Sequence, residues 1–413
     1  MNSFDINNLS NGIKLITRKN ARTPRVAVCM FIDSGAKNES KAGIASLAGR
    51  LLLQGTESRN AEELAIELDS NAIEMNIDVK QDYFKIKTVF LNEDFGKALD
   101  LLSDIVKHST FENFEKEVRK FRGEIEVDLD SPKIRAFDNL VKNMYPDHPY
   151  GHTYTRIVKD LPSINLDAVK DFYYNASLPE RITIVVVGDI DKNNVVKMFE
   201  DKFGNLKRNT GKVISLESGK IEENKVVTIS KNDAAQAQIV KGWIVPDILS
   251  TDYAALNLLN IILGSSGLSS RLFVELRDKK GLAYHVRSAY DPLKYSGLFT
   301  VYIGTAPHNI NTALDGFNIE IKKLQDELVS DKELEDAKSN YLGKRAFFHE
   351  TNVQQAHYLG FYDIMGLGAD YDEKMAENIK KVTPSDIKEV ANKCFSQNSV
   401  ISILAPDQYL EKP

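Results

Sequence analysis

The sequence predicts an α+β protein with two homologous domains, each a largely antiparallel sheet packed with helices. Strand and helix patterns alternate along the chain, and the order of patterns in the first half recurs in the second half. Between the halves lies a stretch rich in Lys, Glu, Asn, Ser and Gly. These observations place the N-terminal domain at 1–206, a solvated linker at 207–224 and the C-terminal domain at 225–413.

The first half contains strand patterns at 12–17, 25–33, 72–79, 82–90 and 181–187. The strand at 25–33 is apolar on both faces, which indicates a buried strand. Helical periodicity covers 42–53, 60–70, 94–107, 113–129 and 167–174, and a further helix precedes Tyr145.

The second half repeats this order of elements. Strands are predicted at 226–230, 237–245, 298–303 and 400–404, and helices at 253–263, 270–279, 311–328, 334–343 and 386–395. The long helix of each half carries a glycine, Gly123 and Gly343, at an offset of 220 residues (343 − 123). Matching order and spacing indicate an internal duplication of about 200 residues.

Composition narrows the class of protein. The chain has 413 residues and a formal net charge of −6, so bulk charge disfavours nucleic-acid binding. No run approaches ~18 consecutive apolar residues, so no membrane span is predicted. Two cysteines cannot build a disulfide framework or a cysteine-based zinc site. Because the chain starts without a signal-peptide pattern, we expect a cytoplasmic protein, or a periplasmic one if a leader has been removed.

A short amphipathic helix near 44–52 carries the first candidate site. Its apolar residues form one stripe at helical spacing, whereas Ser46, Gly49 and Arg50 fall together on the opposite side. Taken alone, this is an ordinary surface helix. The residues that frame it are Asp33-Ser-Gly35, Glu39, Gly43 and Gly55-Thr56.

In this frame the helix resembles the N-terminal domain of the insulinase/pitrilysin-type zinc metallopeptidases (inverzincins), which include the mitochondrial-processing-peptidase-like proteins. Their motif H-x-x-E-H occupies the segment that here reads Ser46-Leu-Ala-Gly49-Arg50. In that family the two His bind zinc and the Glu is the general base. Ser is a poor ligand, Gly offers none and Arg is permanently cationic, so the resemblance implies a chain that binds no zinc of its own.

The family's third zinc ligand is a Glu on the long helix that follows. Glu124 is the best match to it, and Glu126 is the alternative. A lone Glu cannot hold zinc, and an ordinary solvated glutamate is one reading of this position. Because Arg50 and Glu124 both map to the vacated metal position, we predict that they form an ion pair there, with charged atoms within about 4 Å.

The segment 264–284 carries the second candidate site. A Gly/Ser loop opens a helix that ends with Gly281 as its C-cap, and a strand starts at Leu282. Arg277 and Tyr284 therefore flank a helix-to-strand turn and can point to one place. An arginine at a helix end and a tyrosine in a core strand would be the structural alternative.

From 269 to 284 this segment is similar to the second domain of the same family. There an Arg, and a Tyr seven residues later, face the zinc across a chamber. The Tyr hydroxyl donates to the developing oxyanion, and the Arg orients substrate and Tyr. The resemblance implies these roles for Arg277 and Tyr284.

The resemblance covers both domains and implies half of a clamshell peptidase that encloses an extended peptide. We expect a non-catalytic, substrate-positioning subunit of a heterodimeric zinc metalloendopeptidase. Such a chain is inactive alone, carries no cofactor, and supplies Arg277 and Tyr284 in trans to a homologous partner that holds the zinc.

Two other hypotheses stand beside this one. The chain can be a catalytically inert structural, core or peptide-binding subunit of a larger complex, and a homodimer is an alternative state of the isolated chain. A self-sufficient hydrolase ranks last, because the sequence has no Cys-His or Ser-His-Asp signature.

Overall fold

The computed structural model describes residues 3–207 and 216–410. Thirteen strands lie within these described residues. In chain order they are β1 Asp5–Asn8, β2 Lys14–Lys19, β3 Arg25–Ile32, β4 Gly55–Thr56, β5 Arg59–Asn60, β6 Glu74–Val79, β7 Phe84–Leu91, β8 Ile182–Gly188, β9 Lys225–Ser230, β10 Ala237–Val245, β11 Ala283–Pro292, β12 Gly297–Thr305 and β13 Val400–Ala405.

Fourteen α-helices lie in the same described ranges. They are α1 Ile44–Leu51, α2 Ala61–Ser70, α3 Phe95–His108, α4 Phe114–Asp130, α5 Pro132–Met144, α6 Tyr154–Asp160, α7 Leu166–Ala176, α8 Lys192–Phe203, α9 Tyr253–Asn260, α10 Ile310–Asp326, α11 Asp331–Phe347, α12 Asn352–Ile364, α13 Tyr371–Lys381 and α14 Pro384–Phe395. None of the described helices is both long and apolar enough to cross a membrane.

The chain folds into two compact units that interleave along the sequence. Of the described residues, the first unit contains 3–124, 156–207 and 346–372, and the second contains 125–155, 216–345 and 373–410. The predicted domains, 1–206 and 225–413, follow chain order, whereas each compact unit also takes a helical segment from the other half of the chain. Of the predicted linker at 207–224, residues 208–215 lie outside the described residues.

The first unit is built on an open six-stranded sheet with the order β1-β2-β8-β3-β7-β6. Its central strand β8 reads Ile-Thr-Ile-Val-Val-Val-Gly and is buried along its whole length. β8 pairs in parallel with β2 and antiparallel with β3, in a register that sets Cys29 opposite Val185. The remaining pairs of this sheet are antiparallel. β-branched residues on both faces are typical of a strand covered on both sides.

The second unit is built on an open five-stranded sheet with the order β11-β12-β10-β13-β9. Here β13 is the counterpart of β8, since it pairs in parallel with β9 and antiparallel with β10. The order β2-β8-β3-β7-β6 of the first sheet corresponds strand by strand to β9-β13-β10-β12-β11 of the second, and each sheet contains one parallel pair. This shared topology confirms the prediction of an α+β fold with two homologous, largely antiparallel domains.

Glycines allow the exchanged helices to lie close to their sheets. In the first unit α12 packs on β3 and β8, and a Cβ at Gly360 would lie 2.3 Å from Cε2 of Phe31. In the second unit α5 packs on β10 and β13, and a Cβ at Gly242 would lie 2.8 Å from Sδ of Met144. Each half thus supplies one helix to the core of the other unit, which ties the two halves together through their folding.

Candidate functional site

The helix α1 is held at its N-terminus by a buried carboxylate. Glu39 accepts hydrogen bonds from the backbone N–H groups of Gly43 (3.1 Å) and Ala45 (2.8 Å). Gly43 has φ of 106°, a left-handed conformation that favours glycine. The carboxylate satisfies donors that would otherwise be unpaired at the helix start and complements the positive end of the helix dipole. This explains why Glu39 and Gly43 precede the motif.

The motif positions on α1 are not alike in burial. The apolar stripe faces the core, but Gly49 is buried as well, whereas Ser46 and Arg50 are partly exposed. A Cβ at Gly49 would lie 2.6 Å from Cγ2 of Val79 on β6. Val79 therefore occupies the space that a side chain at position 49 would need. The position of the family's general base is thus closed to any larger residue.

Arg50 of α1 contacts a cluster of side chains on the helix α4. Its guanidinium is ion-paired with Glu124 through Nη2 and Oε2. A second carboxylate, that of Glu117, lies 3.7 Å from Nη1 and is 5% exposed. The Cζ of Arg50 also stacks 4.5 Å from the ring centroid of Phe121. The predicted pairing of Arg50 with Glu124 is confirmed, and Glu117 and Phe121 complete the cluster.

This cluster does not fit zinc. Zinc sites in proteins use Cys, His and carboxylate ligands, and the position that would supply a second His here holds a permanently charged guanidinium. Glu124 and Glu117 both point at that cation. Across 3–207 and 216–410, no group of three or more His, Cys, Asp or Glu side chains is placed to hold a metal ion. What the cluster can do is fasten α1 to α4 by charge and stacking.

The second candidate site lies on an irregular helix. The sequence predicts an ordinary helix over 270–279, but the backbone widens into a π-helical turn at Phe273–Lys279. This turn ends as predicted at Gly281, which has φ of 62°. The N–H groups of Gly281 and Leu282 donate to the carbonyls of Arg277 (3.0 Å) and Leu276 (2.9 Å). π-helical turns are frequent at functional sites.

Arg277 and Tyr284 are in contact. The Cζ of Arg277 lies 4.4 Å from the ring centroid of Phe273 and 4.9 Å from that of Tyr284. Tyr284 is 81% exposed, which excludes the alternative of a tyrosine in a core strand. It sits at a shift in the β11–β12 register between Ala283 and His285. Such a bulge re-aims a side chain, so the local irregularity is what turns Tyr284 outward.

The polar groups of this pair are available to a ligand. Arg277 forms no ion pair in the described part of the chain, so its N–H donors are free apart from solvent. The two rings fix the guanidinium plane by stacking, a contact worth about 0.5–2 kcal/mol. The pair therefore presents a planar cation and a phenol side by side, which suits the binding of a carbonyl or carboxylate oxygen.

Comparison with known proteins identifies the family. A family model described as insulinase, peptidase family M16, matches residues 14–156, and one described as the peptidase M16 inactive domain matches residues 163–341. The chain belongs to the insulinase (M16) peptidase family. This M16 chain lacks the H-x-x-E-H motif of the active members, since Ser46, Gly49 and Arg50 stand in its place.

Relatives match the M16 chain over nearly its full length. It is 27% identical to the uncharacterized zinc protease YmxG of Bacillus subtilis, over 96% of this chain and 97% of that protein. An uncharacterized zinc protease of Rickettsia bellii is 26% identical, with 98% of both chains covered.

Solved structures show the same fold. The peptidase M16 inactive domain from Pseudomonas fluorescens superposes with a TM-score of 0.90 at 22% identity, and covers 100% of both chains. A protease from Helicobacter pylori has a TM-score of 0.91 at 22% identity, covering 98% of this chain and all of its own.

Residues that the sequence reasoning missed lie beside those it found. Glu117 and Phe121 precede Glu124 by seven and three positions on α4, so all three share one helix face. That spacing was a usable signal. Around Tyr284, the missed residues are His285 and Arg287 on the same strand and Lys133 on α5. Only the exchange of α5 into the second unit brings Lys133 there.

Proposed function

We propose that this M16 chain is the non-catalytic, substrate-positioning subunit of a heterodimeric zinc endopeptidase that acts on extended peptides. The observation that carries the proposal is the contrast within the chain. The motif that should bind zinc is replaced by a cluster in which two carboxylates face Arg50, whereas Arg277 and Tyr284 remain in contact and Tyr284 is exposed. A chain that had lost all function would have no reason to keep an arginine without a counter-ion beside an exposed tyrosine.

The chemistry of the pair fits transition-state stabilisation in trans. In the proposed complex the Tyr284 hydroxyl donates a hydrogen bond to the oxygen that gains negative charge during peptide hydrolysis. Arg277, held between two rings, orients Tyr284 and contacts a substrate carbonyl. The zinc-binding residues belong to a homologous partner subunit, and this chain contributes no metal ligand.

The experiment is turnover of an internally quenched peptide by the complex with a homologous subunit that carries H-x-x-E-H. Tyr284→Phe removes one donor and leaves the ring that stacks on Arg277. We expect turnover to fall by about 10²–10³, as for other lost oxyanion donors, while the two subunits still co-elute. Because Tyr284 is exposed, its hydroxyl supports no buried contact, and folding should be unaffected.

Tyr174→Phe is the matched control, since Tyr174 is also an exposed tyrosine (51%) and lies on α7. This variant should retain full turnover. If Tyr284→Phe also retains full turnover in an intact complex, the in-trans role is wrong, and the alternative of a catalytically inert structural or core subunit takes its place.

A further inference from the structure

Cationic side chains surround the Arg277–Tyr284 pair in the second unit. His285 and Arg287 are exposed and lie on one face of the edge strand β11, where Arg287 is paired in register with Tyr302 of β12. Nζ of Lys133, from α5, lies 4.8 Å from the ring centroid of Tyr302. The His285 ring lies 5.8 Å from the same ring. Lys133, His285 and Arg287 are thus grouped around Tyr302.

We name the side chains Lys133, Arg277, His285 and Arg287 the cationic face. Its three permanent cations form no ion pair within 3–207 and 216–410, in contrast to Arg50, which has two carboxylates. Arg287 acts electrostatically on Asp291, further along β11: burial raises the pKa of Asp291, and the charge of Arg287 opposes that shift. The cationic face therefore carries an uncompensated positive charge on a chain whose net charge is −6.

The mutual repulsion of these groups is visible in their ionisation. The pKa of His285 is lowered, first by burial and then by Lys133, Arg287 and Arg277. Burial and the charge of Arg287 lower the pKa of Lys133. Like charges held together destabilise one another, and an anion bound among them would remove that cost. The arrangement is thus suited to binding a negatively charged group.

We propose that the cationic face selects peptide segments that carry acidic side chains and so sets the substrate class of this subunit. The inference rests on the proposed function, because it assigns the anion to an extended peptide beside Tyr284. Guanidinium groups bind carboxylates in a two-pronged geometry, and Arg277 and Arg287 offer two such groups. Nucleic acid is disfavoured, because three fixed cations on an acidic protein are few for a polyanion.

The test is fluorescence anisotropy with the full chain and two labelled 15-residue peptides, which differ only in having four Glu or four Gln. We expect the Glu peptide to bind about five- to twentyfold more tightly at low salt, and the difference to shrink as salt screens the charges. Lys133→Gln/Arg287→Gln should remove most of this preference and leave Gln-peptide affinity within about twofold.

Two further variants separate charge recognition from loss of structure. Lys197→Gln/Arg22→Gln removes the same number of charges from exposed positions of the first unit and should keep the preference. Lys133→Glu/Arg287→Glu leaves Arg277 beside two new carboxylates and should invert the order, so that a matched Lys peptide binds more tightly than the Glu peptide. A merely structural role of Arg287 would not produce that inversion.

The outcomes distinguish the two proposals. Equal affinity for Glu and Gln peptides overturns the inference on acidic selection and leaves the proposed function standing. Failure to bind any peptide counts against both. Tighter binding of a single-stranded oligonucleotide than of the Glu peptide also overturns the inference, because it would assign the cationic face to phosphate.

Discussion

Arg50 and Arg277 are both stacked arginines, yet their surroundings are opposite. Arg50 stacks on Phe121 and faces the carboxylates of Glu117 and Glu124. Arg277 stacks on Phe273 and Tyr284 and has no carboxylate partner in the described part of the chain. The first arginine has its charge satisfied inside the protein, whereas the second keeps its donors for something outside it.

The difference between these two arginines indicates which region of the chain to test for function: the one whose charge has no partner within the described residues. At the replaced metal motif, Arg50 is paired with Glu117 and Glu124, so its guanidinium is occupied within the protein. The Arg277–Tyr284 pair gains stacking but no ion pair from the described part of the chain, so folding alone does not require the charge of Arg277. We propose that a ligand outside this chain uses that charge.

The largest expected effect comes from removing each arginine in turn from the proposed complex. Arg277→Gln should lower peptide turnover by about 10- to 100-fold with little change in thermal stability, because a positioning contact is lost and no ion pair within the described residues is broken. Arg50→Gln should do the reverse. It should leave turnover per folded complex unchanged and lower stability by about 1–3 kcal/mol, because the buried Glu117 loses its only ion-pair partner among the described residues.

Turnover and denaturation midpoints measured on the same preparations check this prediction. Adding Glu117→Gln to Arg50→Gln should recover part of the stability, since the stranded carboxylate is then neutral. If Arg50→Gln lowers turnover and leaves stability intact, the two arginines have been assigned the wrong way round.

A smaller effect concerns glycines on helices. Gly49→Ala should destabilise the chain by about 1–3 kcal/mol, because the new Cβ meets Val79 at 2.6 Å. Gly123→Ala on α4 should stabilise it by about 0.5–1 kcal/mol, because nothing lies within 4 Å of the new methyl and alanine is the better helix former. Gly343→Ala, at the corresponding position of α11, should behave like Gly123→Ala. Denaturant midpoints decide the signs, and a stabilising Gly49→Ala would mean that position 49 is open.

The smallest effect is a pH dependence at the cationic face. Because the pKa of His285 is lowered, the ring is neutral at pH 7 and gains its proton only as the pH falls below the ordinary histidine range. Protonation adds one positive charge beside Lys133, Arg277 and Arg287, while glutamates of a peptide stay ionised to about pH 5. Affinity for the Glu peptide should therefore rise, by at most about two- to threefold, as the pH falls from 7.5 toward the lowered pKa of His285. His285→Gln should abolish this rise, and a rise that persists in that variant would assign it to another group.

Most of the fold was predictable from the sequence because its elements carry strong local patterns. β8 and α3 were predicted within one residue, and the strand at 237–245 matches β10 at both ends. The patterns missed β1, β4, β5, α6, α8, α12 and α13. The docking of α12 on β3 and of α5 on β10 depends on contacts between distant parts of the chain, which local periodicity does not contain.

The candidate sites divide in the same way. Motif positions alone predict the site positions Ser46, Gly49, Arg50 and Glu124. They also predict the ion pair between Arg50 and Glu124. The contact of Val79 with Gly49 was not predictable, because it requires β6 to lie against α1. The bulge that exposes Tyr284 and the approach of Lys133 likewise arise from pairing and packing, and no short motif encodes them.

We propose that this chain positions substrate and binds no zinc of its own. The most direct measurement is the zinc content of the purified chain after brief incubation with excess Zn²⁺ and desalting. We predict zinc well below one equivalent, because Ser46 and Arg50 stand where the family has its two histidine ligands. Close to one tightly held equivalent would contradict it, and the chain would then be assayed as a peptidase in its own right.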